Sequence, residues 1–227
     1  MKLVLSVAVL SLLVLPACRR ADLGASARVK VDLAGAWVRD LRDGGPGVEG
    51  FDLRADGSVA LLGIFSMNGI AWTVSRDELV ISTNTDRDAQ PNPSRLRIES
   101  VERDVLTLRA DPPDYLAGTF RRSEVEHVAG VVTYLEPMAL PADARVEVRL
   151  TRGERLLARA LIAPKGAVPI PFALSYLPEP AADARGAALE ARILTADRPL
   201  FASAAPVPVD AGAMGVELLV GRAPAKQ

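Results

Sequence analysis

The sequence predicts an all-β protein, and three observations support that fold class. Apolar residues recur with a period close to two from Phe51 onwards, as in half-buried strands. Turn residues interrupt this alternation at short intervals, as between the strands of hairpins. The ambiguous segment 181–194 is rich in helix-favouring residues, but Gly186 interrupts it and its end keeps a period of two. We therefore interpret it as a loop followed by a strand.

The first 17 residues have the layout of an exported leader. Lys2 supplies a positive charge, residues 3–15 form an almost wholly apolar run, and Cys18 follows closely. At about 1.5 Å per residue the run spans roughly 20 Å, which is too short for a hydrocarbon core of roughly 30 Å. A permanent transmembrane helix is therefore not expected.

The residues Leu15-Pro16-Ala17-Cys18 resemble the lipobox of bacterial lipoproteins. The resemblance implies cleavage before Cys18, a diacylglycerol thioether on its sulfur and acylation of the new amine. Three acyl chains would hold the protein almost irreversibly at a membrane. Arg19 stands where an Asp, by resemblance to the sorting rule of enteric lipoproteins, would favour the inner membrane. We therefore expect a lipid-anchored envelope protein, at the outer membrane and facing the periplasm.

Turn signals and shifts in composition divide the chain. We expect a leader over 1–17, a lipidated tether over 18–30, one β domain over 31–123, a second over 124–221 and a tail over 222–227. The boundary is placed near Glu124, where the character of the strands changes. His127, the single histidine, is expected in a solvent-facing linker at this junction.

Three hairpins are predicted in the first domain, which would make an antiparallel meander. Their turns are Asp56-Gly57, residues 75–78 and residues 102–104. Residues 84–93 are polar and broken by proline, so we expect an exposed loop there. Its Asn84-x-Asp86-x-Asp88 pattern suggests calcium, but Ala89 and Arg95 stand where an EF-hand needs Gly and Glu. We therefore expect a solvated loop.

The second domain shows clear strands of its own. Val146, Val148 and Leu150 alternate with charged residues, and Val216, Leu218 and Val220 form the last apolar face before a frayed tail. Another extended run lies between these two strands in the sequence. It contains proline at positions 169 and 171, which excludes it from the centre of a sheet, so an edge strand is predicted. One face of that strand carries Ile170, Phe172, Leu174 and Tyr176.

Three segments of the second half resemble the YbaY/YscW-type bacterial lipoproteins: VAGVVTY at 128–134, ALPADARVEV at 139–148 and PIPFALSY at 169–176. The resemblance runs from Glu124 to Val220 and implies a β-sandwich on a lipid anchor. In YscW-type members it also implies a pilot of an outer-membrane secretin subunit. Fold alone does not fix function.

The first half resembles a small lipocalin-like barrel, through GAW at 35–37 and GTFR at 118–121. In such barrels a Trp closes one end and a basic residue of the last strand lies across its ring. Trp37 with Arg121 or Arg122 would fit that arrangement. The alternative is that Trp37 is simply a core residue of a meander.

No pattern indicates catalysis. A Ser-His-Asp or Cys-His site would have to use His127, and the single cysteine is assigned to lipid, so we expect no enzyme, no metal and no cofactor beyond the covalent lipid. The net charge is −1 with interspersed signs, so nucleic acid is not an expected partner.

Two binding hypotheses follow. The first is a non-enzymatic lipoprotein that binds a protein partner, such as an outer-membrane or secretin-type protein, at the edge strand with Ile170, Phe172, Leu174 and Tyr176. The second is small-ligand binding in the first domain, in a pocket lined by Trp37, Phe65, Met67 and Trp72. This second hypothesis also places Ile70 in the lining of the pocket, and a solidly packed first domain without a cavity would contradict it.

Overall fold

The computed structural model describes residues 32–178, 186–196 and 198–223. The leader, the tether and Cys18 therefore lie outside the described residues, as does the loop expected at the start of 181–194. All regular elements within the described ranges are β-strands. The predicted fold class is confirmed.

The first eight strands form one antiparallel sheet. They are β1 Gly35–Asp40, β2 Val48–Leu53, β3 Val59–Leu62, β4 Asn68–Ser75, β5 Glu78–Asn84, β6 Asn92–Glu102, β7 Val105–Arg109 and β8 Gly118–Ser123. The order β3-β2-β1-β8-β7-β6-β5-β4 places chain neighbours side by side, so the sheet is a meander. Its end strands meet where Ser58 bridges Ala71 and the Trp72 N–H donates to the Gly57 carbonyl at 2.8 Å. The sheet is thus nearly closed into a small barrel.

The three predicted hairpins are confirmed by the pairs β2–β3, β4–β5 and β6–β7. The loop expected over 84–93 is shorter than predicted, because β5 runs to Asn84 and β6 begins at Asn92. Pro93 is tolerated in β6 because this part of the strand pairs with β5 alone, and β7 joins only from Arg97.

Large apolar side chains fill the barrel. Phe51 and Phe120 meet at 4.9 Å between ring centroids, and Trp37 is fully buried with its indole N–H donating to the Leu33 carbonyl at 2.9 Å. The Arg122 guanidinium lies 4.3 Å from the Trp37 ring centroid. Trp37 is therefore both a core residue and the partner of a basic residue in the last strand, as the lipocalin-like resemblance implied.

The remaining strands form two sheets. They are β9 Glu126–Thr133, β10 Arg145–Arg152, β11 Arg155–Ile162, β12 Ile170–Tyr176, β13 Ala187–Thr195, β14 Arg198–Ala202, β15 Val207–Val209, β16 Val216–Leu219 and β17 Gly221–Arg222. The three-stranded sheet has the order β12-β9-β16, and the six-stranded sheet has the order β11-β10-β13-β14-β17 with β15 beside β13. One apolar core takes side chains from both sheets, which makes the second half a two-layer sandwich.

The C-terminal strand closes one corner of this sandwich. β16 runs parallel to β9, and β17 then pairs with β14 of the other sheet. Arg222, the first residue of the expected tail, lies in this ladder together with Gly221. At the opposite corner β11 and β12 are edge strands of different sheets and do not pair with each other.

Candidate functional site

A polar cluster joins the barrel to the sandwich around the buried hydroxyl of Ser175. This hydroxyl donates to Asp52 Oδ2 at 2.7 Å, accepts from Arg54 Nη2 at 2.8 Å and lies 3.1 Å from His127 Nδ1. Asp52 belongs to β2, Arg54 follows it, and Ser175 and His127 are cross-strand neighbours on β12 and β9. We call these four residues the serine latch.

The serine latch does not have the order of a Ser-His-Asp triad. In a Ser-His-Asp triad the histidine stands between serine and carboxylate. Here the serine stands in the middle, and its oxygen is already engaged by Asp52 and Arg54. His127 was expected in a linker and instead lies within β9, with its side chain 50% exposed. Sequence reasoning missed the cluster because Asp52 and Ser175 are 123 positions apart.

A second polar contact joins the two halves on the outer face of the six-stranded sheet. Arg159 donates through Nη2 to Asp86 Oδ2 at 2.8 Å and through Nε to Glu147 Oε1 at 2.7 Å. Asp86 also accepts from Asn68 Nδ2 at 3.3 Å. Burial favours the neutral form of Asp86, but the hydrogen bonds from Arg159 and Asn68 outweigh it and lower the pKa. Asp86, which was expected in a solvated loop, thus pairs with an arginine of the sandwich.

A cleft of about 300 Å³ lies between these two contacts. The barrel strands β3 and β4 form one wall, and the sandwich edges β11 and β12 form the other. Its lining is mixed, with apolar side chains such as Met67 and Phe172 beside Arg54 and Arg159. Because both arginines already pair with carboxylates, the cleft offers little charge to a ligand.

The predicted edge strand is β12, which lies at the edge of the three-stranded sheet. The side chains of Ile170, Phe172, Leu174 and Tyr176 point into the sandwich core and are all buried. The outward edge of β12 is also poorly suited to pairing with another strand, because Pro171 has no N–H and Arg54 Nη2 donates to the Ala173 carbonyl at 3.3 Å. A strand added here would meet backbone and Arg54 rather than the four predicted side chains.

The four side chains proposed to line a ligand pocket lie in different surroundings. Trp37 is in the packed barrel interior, Met67 lines the 300 Å³ cleft and Phe65 lines a separate groove of about 350 Å³. The Trp72 indole N–H donates to the Arg54 carbonyl at 2.8 Å. Within the described residues, these four side chains therefore do not line one shared cavity.

Beyond the serine latch, most outward side chains of the three-stranded sheet are apolar, and the polar ones are Thr133 and Glu217. The central strand of this sheet presents Ala129, Val131 and Thr133, which lie beside Ala173, Pro171 and Leu219 of the flanking strands. None of these side chains belongs to the buried core. Three large hydrophobic side chains exceed half exposure within the described ranges, and they are Leu135 at 81%, Met214 at 70% and Leu219 at 53%. All three lie on or within two residues of β9 or β16.

Two further properties bear on the class of protein. Within the part of the chain that the structure describes, no helix is long and apolar enough to cross a membrane. The same residues contain no group of three or more His, Cys, Asp or Glu side chains placed to hold a metal ion.

The fold and its surfaces define an all-β protein with a small barrel and a β-sandwich. Residues 123–219 match the family model described as type III secretion system lipoprotein chaperone (YscW). The match covers less than half of the chain and coincides with the sandwich. It confirms the resemblance of the second half to YscW-type lipoproteins.

Two solved structures each resemble less than half of the chain. One is an alternative pilotin from the type II secretion system of Vibrio cholerae, with 22% identity over 45% of this chain and 100% of that chain and a TM-score of 0.41. The other is a lipocalin-like protein from Bacteroides thetaiotaomicron, with 12% identity over 41% of this chain and 99% of that chain and a TM-score of 0.35. No curated protein matches the chain.

Proposed function

We propose that this protein is a non-enzymatic envelope lipoprotein that binds a secretin-type outer-membrane protein and assists its assembly. The observation that carries the proposal is the match of residues 123–219 to the family of type III secretion lipoprotein chaperones. Cys18 would carry the lipid and hold the sandwich within tether reach of the membrane surface. The position of Arg19 favours the outer membrane.

The surfaces of the sandwich agree with a binding role. Its single histidine and the buried serine beside it are engaged in the serine latch, and its three most exposed large hydrophobics, Leu135, Met214 and Leu219, lie on or within two residues of β9 or β16. Contiguous exposed apolar surface on a soluble domain marks a protein-binding region more often than a catalytic one.

The anchor is tested by Cys18→Ser. The variant should migrate as an unprocessed precursor and take up no labelled fatty acid, whereas Arg19→Ser should be processed and lipidated normally. Arg19→Asp should move the protein from outer-membrane to inner-membrane fractions. Unchanged migration and labelling of Cys18→Ser would overturn the anchor.

The partner is tested in cells that carry a secretin. Deleting the gene should lower the amount of assembled secretin in the outer membrane, and the full lipidated chain should co-purify with the secretin subunit from detergent-solubilised envelopes. Normal secretin assembly in the deletion strain, together with no co-purification, would refute the proposal.

A further inference from the structure

The cleft between the barrel and the sandwich is bordered by strands that end their sheets. β3 and β4 end the barrel sheet, β11 ends the six-stranded sheet and β12 ends the three-stranded sheet. In an edge strand, every second residue has its backbone N–H and C=O left unpaired by its own sheet. The walls of the cleft therefore consist of backbone groups as well as side chains, and an extended polypeptide backbone is the chemistry that matches such groups.

The hydrogen bonds of the six-stranded sheet determine which groups of β11 face the cleft. Ala191 of β13 exchanges hydrogen bonds with Ser203, on the side of β14. The next residue, Arg192, therefore faces β10, where it pairs with Glu147. Because Glu147 is bonded toward β13, the residue opposite it on β11, Leu161, points its N–H and C=O away from β10. Leu161 lines the cleft, and its backbone has no hydrogen bond to another loop or strand edge within the described ranges.

The other edges of the cleft are less available than β11. β3 and β4 join at the barrel seam, where Ser58 bridges Ala71. On β12, Pro171 has no N–H and the Ala173 carbonyl accepts from Arg54 Nη2 at 3.3 Å. Among the described edges of the cleft, β11 is therefore the best suited to accept a further strand.

The edge of β11 lacks the usual protection against strand addition. Residues 159–162 contain no lysine and no proline, and the side chain of Arg159 is bound to Asp86 and Glu147. The barrel stands across the cleft instead, so an added strand has room only along the four residues of β11 that line it. At about 3.3 Å per residue, this stretch accommodates about 13 Å of extended chain.

The lining of the cleft favours an uncharged segment. Both arginines of the cleft pair with carboxylates, and Asp56 accepts hydrogen bonds from the N–H and the hydroxyl of Ser58. Met67 and Ile70 supply apolar surface, and Ile70 is 37% exposed because it is the extra residue of a bulge in β4. A charged segment would lose its hydration in the cleft without gaining a free counter-ion from these residues.

We propose that the cleft binds a short, extended and uncharged segment of another protein, which adds as a strand to the edge of β11. Hydrogen bonds with the N–H and C=O of Leu161 hold the backbone of the segment, and an apolar side chain of the segment packs against Met67 and Ile70. The inference goes beyond the proposed function, because the site lies between the two halves of the chain and its occupation does not require a secretin.

The test uses the full lipidated chain in detergent and a capped pentapeptide of alternating threonine and valine. Titration calorimetry should detect binding, and hydrogen exchange should become slower in β11 when the peptide is present. The matched control is the same peptide with methyl groups on its three central backbone nitrogens, which keeps the side chains and removes the donors. It should bind about tenfold or more weakly.

Variants of the chain locate the site. Leu161→Pro removes the N–H that points off the edge of β11 and should weaken peptide binding by about tenfold, whereas Leu161→Ala keeps this N–H and should bind normally. Ile70→Asp is a second variant on the opposite wall, and its charge should weaken binding in the same direction. Thermal unfolding of each variant separates lost binding from lost folding.

Three outcomes would overturn the inference. They are no binding of the uncharged pentapeptide, equal binding of its methylated form, and unchanged affinity of folded Leu161→Pro or, if that variant does not fold, of Ile70→Asp. A small molecule retained by the purified chain, seen by native mass spectrometry and lost in Ile70→Asp, would also contradict a peptide as the occupant. None of these measurements involves a secretin, so the inference and the proposed function are tested separately.

Discussion

The two outer faces of the sandwich differ in the side chains that they expose to solvent. The six-stranded sheet presents alternating charges, among them Arg145, Glu147, Arg149, Glu190 and Arg192, and clamps the barrel loop through Arg159. The three-stranded sheet presents mostly small apolar residues on its outer face, and the barrel contacts it at the serine latch and where β3 approaches β12. The outer face of the six-stranded sheet already has charged partners within the chain, whereas the outer face of the three-stranded sheet is suited to a partner protein.

Phe172→Ala should cause the largest change, and it tests which side of β12 faces inward. The ring is buried in the sandwich core, so its removal should lower the free energy of unfolding by about 3–5 kcal/mol. Urea unfolding followed by tryptophan fluorescence and circular dichroism would measure it. Ala173→Ser, one residue further on the outer side, should change stability by less than about 0.5 kcal/mol. A stable Phe172→Ala chain that only loses its partner would show that the two sides of β12 are reversed.

Arg159→Ala tests the charged face. Its side chain is 12% exposed, and its loss would remove the guanidinium that Asp86 and Glu147 share, leaving Asp86 with the Asn68 amide, at a cost of about 2 kcal/mol in unfolding free energy. The exposed pair of Arg95 with Glu78 is the control, and Arg95→Ala should cost less than about 0.5 kcal/mol. Equal effects of the two substitutions would mean that the Arg159 network contributes no more than a surface ion pair.

The local elements of this fold could be predicted, whereas the long-range assemblies could not. Asp56-Gly57 and the alternation around it define a hairpin within a few residues, so pattern alone was sufficient. β11 was missed because its Leu, Ala and Arg residues also suit a helix and only pairing with β10 decides between the two. The common face of Phe172 and Leu174 was predicted, but its burial depends on a second sheet that no local pattern reveals.

Acid titration should single out Asp86 among the carboxylates of the charged face. Its pKa is lowered in the folded chain, because the hydrogen bonds from Arg159 and Asn68 outweigh its burial. A depressed folded pKa gives stabilisation that is present above the unfolded value of about 3.9 and is lost as the pH falls through the folded pKa. Asp86→Asn should therefore flatten the loss of stability below about pH 4. The same substitution in an Arg159→Ala background should change little, and an undiminished effect there would assign the stabilisation to another contact.

Leu219→Ser should cause the smallest change in stability and gives the sharpest test of the apolar face. The side chain is 53% exposed and lies at the end of β16, so its replacement should change the free energy of unfolding by less than about 0.5 kcal/mol. Leu218→Ser, at the adjacent and fully buried position, should cost about 3 kcal/mol or more, because it removes buried apolar surface and leaves a hydroxyl in the core. Denaturant unfolding of both variants in the absence of any partner would compare them. If Leu219→Ser destabilised the isolated chain as much as Leu218→Ser, Leu219 would have a structural role within the chain. The outer face of the three-stranded sheet would then not be a free surface at this position.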